Sequence, residues 1–440
     1  MRGSLISHCA AVSLVGAAAL ALTACSSCAS SPPGGGAAAD AGPSDSPQSN
    51  VDASSDSASD TDSGSVPPDA AGGWSSLPGG SCELEYAAGA ALTAADALSF
   101  VSCGTGCVAA GLAQGGLNAV LSQTVGAVVD GQLVLSISRE ANSGDVTHLT
   151  TLYARDGHGL AALRSRAPWA RCRPMPLGAT VPGYLDGASG TFSVAWLDLP
   201  ASALQPGAAW FSAPSTGTTA AGWSSGFILP DGTGVGGASS RSAVAVRHFA
   251  DAASQVFDMA SIGSLVLYYA RTARQMYVFD PSSLASQTLW SGGDIVDVMG
   301  LSPDKFVWLT GHGPNQGSFV YASADVTWSP LPRKAADLKA SAAISVNVNS
   351  AAVGLKTFGD YAAIARCLAG STTSCGLIVV RLSDGHQWTI RDPAGTSTLG
   401  LLAVTDSEIV VVRQNQGTYR NWIDSIVFLR LDALDSLAAL

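Results

Sequence analysis

The chain is predicted to be all-β, a β-propeller of about seven four-stranded blades, with paired β-sandwiches as the alternative. Three observations predict this. Short runs rich in Val, Ile, Leu, Tyr, Phe and Trp are punctuated by Gly, Asp-Gly and Asp-Pro turns, with no helical period between them. The runs come in blocks of roughly 40–50 residues, four runs to a block, which is the spacing of a propeller blade. Comparable second runs begin near positions 264, 305, 361 and 407, so the repeat is loose but real.

The clearest block spans 261–290. It contains Ser261-Ile-Gly-Ser-Leu-Val-Leu-Tyr-Tyr-Ala-Arg271, then Gln275-Met-Tyr-Val-Phe-Asp-Pro281, then Gln287-Thr-Leu-Trp290. Upstream, runs at 132–137, 148–155, 191–197, 226–229 and 243–249 read as strands. Downstream, 294–299, 305–310, 318–322 and 326–329 form one block, and 352–355, 361–367, 377–382 and 387–390 the next. The last block, 399–404, 407–413 and 425–431, has only three runs. A fourth strand from the segment between Ser81 and Leu121 would close the ring and cover the free edge. The tail from Asp432 to Leu440 reads as a short helix.

Composition sets the class. The chain has 440 residues, 47% hydrophobic and only 12% charged, with a formal net charge of −11. Residues 26–79 hold seven Asp and no base, so the excess of acid in the folded body is small. Nucleic acid needs a basic stripe, and none is present. Residues 25–79, rich in Ser, Ala, Gly, Pro and Asp, cannot bury enough apolar surface to offset chain entropy and read as a disordered tether. About 50 such residues span on the order of 40 Å. Residues 80–440 form the folded body, roughly 360 residues.

The first 24 residues read as an export signal: Arg2, an apolar run from Leu5 to Leu22, then Leu22-Thr23-Ala24-Cys25. That tetrapeptide resembles the bacterial lipobox. The resemblance implies cleavage before Cys25, a lipid on its thiol, and anchoring in a membrane. Ser26, rather than Asp, at the next position implies the outer membrane, on its periplasmic or cell-surface side.

The nine cysteines include Cys9 in the signal, Cys25 at the cleavage site and Cys28 in the tether. The body keeps six, an even number in an exported chain. Cys367 ends one run and Cys375 begins the next, which predicts a disulfide across that hairpin. Cys82, Cys103, Cys107 and Cys172 are further disulfide candidates, and spacing does not choose among their pairings. Cys103-Gly-Thr-Gly-Cys107 lacks the redox Cys-x-x-Cys spacing and a second ligand pair for metal.

Several motifs match patterns without their contexts. Gly222-Trp-Ser-Ser-Gly226 fits the nucleophile elbow, but no hydrophobic strand precedes it and no helix follows. Gly232-Thr-Gly-Val-Gly-Gly237 fits the dinucleotide pattern but lies in no βαβ unit, and reads as a flexible hairpin loop. Asp60-Thr-Asp-Ser-Gly64 lacks the distal Glu of a calcium loop. Asp231-Gly232, Asp280-Pro281 and Asp384-Gly385 are turn formers. His148, His158, His248, His312 and His386 are scattered, with His312 in a loop. Trp290, Trp308, Trp328 and Trp388 are expected between blades, and Trp74 and Trp223 in exposed loops.

The expected function is a lipid-anchored cell-envelope protein whose propeller is a binding or scaffold module. The expected partners are the membrane, through Cys25, and an unknown protein or glycan ligand at the ring face, without nucleic acid. No cofactor, metal site or catalytic residue is assigned. A secreted propeller hydrolase or glycan-active enzyme is the alternative, as is a purely structural envelope protein. The body holds only Glu83, Glu85, Glu140 and Glu408 beside its turn aspartates, too few clustered carboxylates for glycosidase chemistry.

Overall fold

The computed structural model describes the chain between Trp74 and Ala438, apart from residues 77–83, 90–91, 93–96, 113–119, 130–131, 141–147, 166–171, 177–181, 187–190, 195, 199–202, 206–210, 213–220, 224, 241–246, 255, 293–295, 313–322, 349, 369–374, 392–396 and 417–420. The signal, Cys25 and most of the tether therefore lie outside the described residues. A short strand, Trp74–Ser76, falls within the stretch assigned to the tether.

The fourth sheet shows how the sequence makes a blade. Its strands are Val256–Ile262, Leu265–Ala270, Gln275–Asp280 and Ala285–Ser291, paired antiparallel in chain order. The two central strands are buried along nearly their whole length. A sheet covered on both faces needs apolar residues at every position rather than alternation, and Leu-Val-Leu-Tyr-Tyr-Ala supplies them. Tyr268 opposes Tyr277, and their rings stack with centroids 4.8 Å apart. The first turn places Gly263 at φ 56°, a conformation that glycine adopts without Cβ strain. At the third turn, Asp280 Oδ1 accepts the Ser282 amide at 2.9 Å, as the turn reading expects.

The same meander forms the third sheet (221–251), the fifth (296–346) and the sixth (350–390). Apolar clusters join each to the next. Trp223 and Ile228 of the third meet Tyr268 and Phe279 of the fourth. Leu267 and Met276 meet Phe306 and Trp308 of the fifth. Val307 and Val326 meet Ile364 and Val380 of the sixth. The sixth meets a closing sheet through Val379, Trp388, Leu399 and Val411. The closing sheet in turn rests on the first through Val410, Phe428, Leu135 and Tyr153. A succession of sheets whose last member packs on its first is a ring, so the protein is a β-propeller.

Closure uses the N-terminal segment, as the unpaired C-terminal edge requires. The closing sheet orders Ser397–Val404, Glu408–Gln416 and Asn421–Arg430, then Cys107–Leu112, then Leu98–Gly104 at its outer edge. Val108 lies opposite Phe428. Arg155 of the first sheet clasps Glu408 of the closing sheet through two hydrogen bonds, 2.5 and 2.6 Å, and lies 3.9 Å over the Phe428 ring. The tail caps the junction: Leu431, Leu434 and Leu437 are buried, and Trp388 Nε1 donates to Asp435 at 2.7 Å.

The expectation of uniform four-stranded blades needs correction. Among the described residues five sheets have four strands, while the first has six and the closing sheet five. The surplus comes from the N-terminus, whose strands extend both sheets at otherwise open edges. A ribbon of Trp196–Asp198 with Ala203–Gln205 interrupts the second sheet. The fourth strand of the fifth sheet is Ile344–Val346, following a turn of 3-10 helix at Ala335–Asp337, and not the run at 326–329, which belongs to the third strand.

The glycine-rich loop expected at 232–237 is also corrected. Gly234–Ala238 is a buried central strand. Its glycines are there for close approach: a Cβ on Gly237 would lie 1.9 Å from the Phe227 carbonyl oxygen. Trp223 is likewise no exposed platform. It is 9% exposed, packs on Phe279 at 5.7 Å, and covers Gly226.

Candidate functional site on the axis

The first strand of each meander, Val120–Val129 in the first sheet and Ser397–Val404 in the closing sheet, is its inner strand, and inner strands of neighbouring sheets lie against one another around the axis. Five of them share a device, a register shift near Leu121, Val256, Val296, Ala352 and Leu401. Such bulges re-aim side chains and free backbone groups from the ladder. In the fourth sheet the shift falls between Val256 and Asp258.

Asp258 uses that freedom. Its Oδ1 accepts the amide of Met259 at 2.8 Å, and its Oδ2 the amide of Met299 at 3.2 Å. Met299 belongs to the inner strand of the fifth sheet, so the carboxylate bridges two blades at their axial edges. Lys356 stands on the inner strand of the sixth sheet. The fourth and sixth sheets are not neighbours, because the fifth separates them. Asp258 and Lys356 nonetheless attract each other, each favouring the other's charged form. Among the described residues, the Lys356 ammonium makes no hydrogen bond.

Burial dominates the titration of both. It pushes Asp258 up to about 6, against the pull of the Met299 amide, the Lys356 charge and the Met259 amide. It pushes Lys356 below its usual value, against the attraction of Asp258. Each residue as a whole keeps partial exposure. Asp258 is a fixed acceptor at the axial edges of two blades, and Lys356 is the opposite charge that acts on it.

A second polar cluster lies at the rim of the third sheet. Asp231 Oδ1 accepts the amides of Thr233 at 3.0 Å and Gly234 at 2.8 Å, and Oδ2 meets His248 Nδ1 at 2.5 Å. His248 Nε2 lies 3.2 Å from Asp251. Burial works against the Asp231 charge, but the bonds from His248, Thr233 and Gly234 outweigh it and hold the carboxyl below its usual range. The hydrogen bond that His248 donates to Asp231 raises it despite some burial, and Asp251 adds to the rise. This cluster braces a turn. Among the described residues, no three His, Cys, Asp or Glu side chains converge as a metal site.

The residues singled out from sequence are distributed as follows. Cys103 and Cys107 form a disulfide with Cα atoms 5.1 Å apart, at the tip of the closing hairpin. Cys367 and Cys375 are directly opposed in the register of the sixth sheet, with their side chains outside the described residues, as is Cys82. Cys172 begins a strand of the second sheet. His312 ends a strand rather than lying in a loop, and its Nε2 meets Asp325 at 2.8 Å. Gly222–Gly226 is a tight turn between two strands, with Trp223 N donating to Gly226 O at 2.8 Å. None of these residues joins the axial pair. Sequence reading passed over Asp258 and Lys356, although a lone charge inside an apolar strand run, as in Val-Phe-Asp-Met and Gly-Leu-Lys-Thr-Phe, was the available signal.

No family model matches the chain, and no curated protein matches its sequence. Solved structures do. The hydrazine synthase of Kuenenia stuttgartiensis is 9% identical, with a TM-score of 0.41, over 60% of this chain and 80% of that one. The dihydro-haem d1 dehydrogenase NirN is 14% identical, with a TM-score of 0.38, over 78% and 76%. Regucalcin from Agrobacterium tumefaciens is 11% identical, with a TM-score of 0.34, over 60% and 90%. The assignment to the propeller class rests on the ring of sheets itself.

Proposed function

We propose that the chain is a lipid-anchored cell-envelope protein whose propeller is a binding module, with its ligand seated at the axis between Asp258 and Lys356. The observation that carries this reading is the Lys356 ammonium. Burial disfavours its charge, while Asp258, held at the axial edges of two blades, favours it. Taking an ion out of water is costly, and a guest that supplies acceptors offsets part of that cost. A glycan-active enzyme would need a second carboxylate roughly 5–10 Å from Asp258; the charged side chain that acts on Asp258 among the described residues is the Lys356 ammonium. The anchor reading rests on Leu22-Thr-Ala-Cys25 and the tether that follows it. It places the protein at the outer membrane, on the periplasmic or surface side.

Two measurements test this. Native mass spectrometry of protein purified from its own envelope should show a non-covalent adduct that Lys356→Met loses. A bare wild-type mass, or an adduct that the variant keeps, refutes axial binding. Cys25→Ser should abolish labelling by a metabolic fatty acid and release the protein from membranes, since a single acyl chain binds marginally and several bind firmly. A Ser variant that still carries label would end the anchor reading.

A further inference from the structure

We infer that the sixth sheet carries a second site, independent of the axis, in which Arg366 and Arg391 meet over Gly376 to hold a phosphate-type dianion. The site begins with register. Arg366 of Tyr361–Leu368 lies directly opposite Gly376 of Cys375–Arg381, so its side chain rises from the face that a Gly376 side chain would share. On that same face the chain crosses back. A Cβ on Gly376 would lie 2.6 Å from the Ile390 carbonyl oxygen and 3.7 Å from Arg391 Cα. The end of Gln387–Ile390 therefore passes over position 376, a close approach that glycine alone permits. Opposed residues of an antiparallel pair have Cβ atoms about 5 Å apart, so the two arginines are rooted within about 9 Å of each other. Arg366 is half-buried and Arg391 exposed, so the site has an enclosed side and an open one.

What the two side chains still lack defines the ligand. Arg366 Nη1 donates to the carbonyls of Asn347 at 3.0 Å and Val348 at 3.5 Å, in the link from the fifth sheet to the sixth. Those bonds fix one corner of its fork. Its Nε and Nη2 hydrogens, and the whole fork of Arg391, take no acceptor among the described residues. Asp325, on the strand that pairs with Ile344–Val346, is already engaged by His312 Nε2 at 2.8 Å. Asp392, the acid that follows Arg391, lies outside the described residues. Burial lowers Arg366 below its usual value, and the like charge of Arg391 lowers it further. The scaffold thus holds two cations together, and an anion between them offsets that repulsion. Guanidinium forks match pairs of oxygens on phosphate, and a phosphate ester carries close to two negative charges. It offers an oxygen edge to each fork and a charge to each cation. A carboxylate has one charge and one edge, enough for a single arginine.

The test is isothermal titration calorimetry of the purified mature protein at pH 8 and low ionic strength, with inorganic phosphate, glucose 6-phosphate and acetate. At least one phosphate should bind saturably, and acetate about tenfold more weakly or worse. Tighter binding of glucose 6-phosphate assigns the site to a phosphorylated sugar, equal or tighter binding of inorganic phosphate to the free ion, and either supports the inference. Arg391→Gln, checked for an unchanged circular dichroism spectrum, should lower phosphate affinity about tenfold or more, and Arg391→Lys should recover part of the loss. Gly376→Ala removes no charge but displaces Ile390 and Arg391, and it should weaken binding too. Lys356→Met should change nothing, which separates this site from the axis. If neither phosphate binds, if acetate matches them, or if Arg391→Gln keeps the affinity, the inference falls, while the native adduct decides axial binding separately. Loss of phosphate binding in Lys356→Met would move the anion to the axis and overturn the inference. A gain of about tenfold in Asp392→Asn would show that Asp392 already neutralises Arg391, and would overturn it as well.

Discussion

Removing the axial charges singly and together should show what they cost the fold. Burial moves Asp258 from its ordinary 3.8 to about 6, and that displacement corresponds to roughly 3 kcal/mol of penalty on the ionised form. The sign follows from linkage. Between pH 3.8 and about 6 the folded chain holds a proton that the unfolded chain has lost, so this group's contribution falls as pH rises through that window and is flat above it. Asp258→Asn should abolish that slope but leave Lys356 without its counter-charge. Lys356→Met should raise Asp258 further, so the slope extends upward past pH 6. The double variant leaves no buried charge. It should be more stable than either single variant, with a coupling of about 1–3 kcal/mol between the sites. Urea denaturation followed by tryptophan fluorescence at pH 5 and pH 8 measures all four proteins. Additivity within about 0.5 kcal/mol, with the wild-type pH slope intact in Asp258→Asn, would refute the reasoning.

Other outcomes follow from the closure, the rim and the sixth sheet. Deleting residues 26–73 should leave melting unchanged, whereas deleting 26–121 removes Leu98–Leu112 and should give aggregating protein; a soluble monomer with an unaltered melting temperature contradicts closure by this hairpin. His248 is raised by Asp231, so its contribution is complete below pH 6.5 and disappears as pH climbs through its folded value. His248→Gln should therefore flatten the stability profile on the alkaline side of 6.5, and an unchanged profile in denaturation curves counts against the pairing. Cys367 and Cys375 lie opposite each other in an antiparallel ladder, a spacing that a disulfide spans. Non-reducing peptide mapping should yield the linked pair, and alkylation of both thiols in unreduced protein excludes it.

Much of the ring was legible because blades are local. Each is a meander of adjacent runs, so period and turn chemistry announce it, and even the three-run last block pointed to an N-terminal donor. The failures are equally physical. Gly234–Ala238 looks like a loop because glycine has poor strand propensity, yet a crowded sheet interior selects glycine where Phe227 and Asp231 press close. Ile344–Val346 is three residues long and follows a polar loop, too little pattern to register. The axial pair is legible least of all. Asp258 and Lys356 are nearly a hundred positions apart and on sheets separated by the fifth, so only ring geometry relates them.

Closure by Cys107–Leu112 also orders events in time. Its partner, Asn421–Arg430, is the last long strand of the chain, about three hundred residues later. Pairing of such high sequence separation is slow. The hairpin emerges early and waits through synthesis of every intervening blade, with Phe100 and Val101 uncovered even in the finished ring. Until the C-terminus arrives, the nascent chain is an open arc with two adhesive ends, and the hazard is that the end of one molecule closes the arc of another. The Cys103–Cys107 bond acts on this interval. By pre-forming the hairpin before its partner exists, it turns a late three-way assembly into the docking of a finished ribbon onto a finished edge.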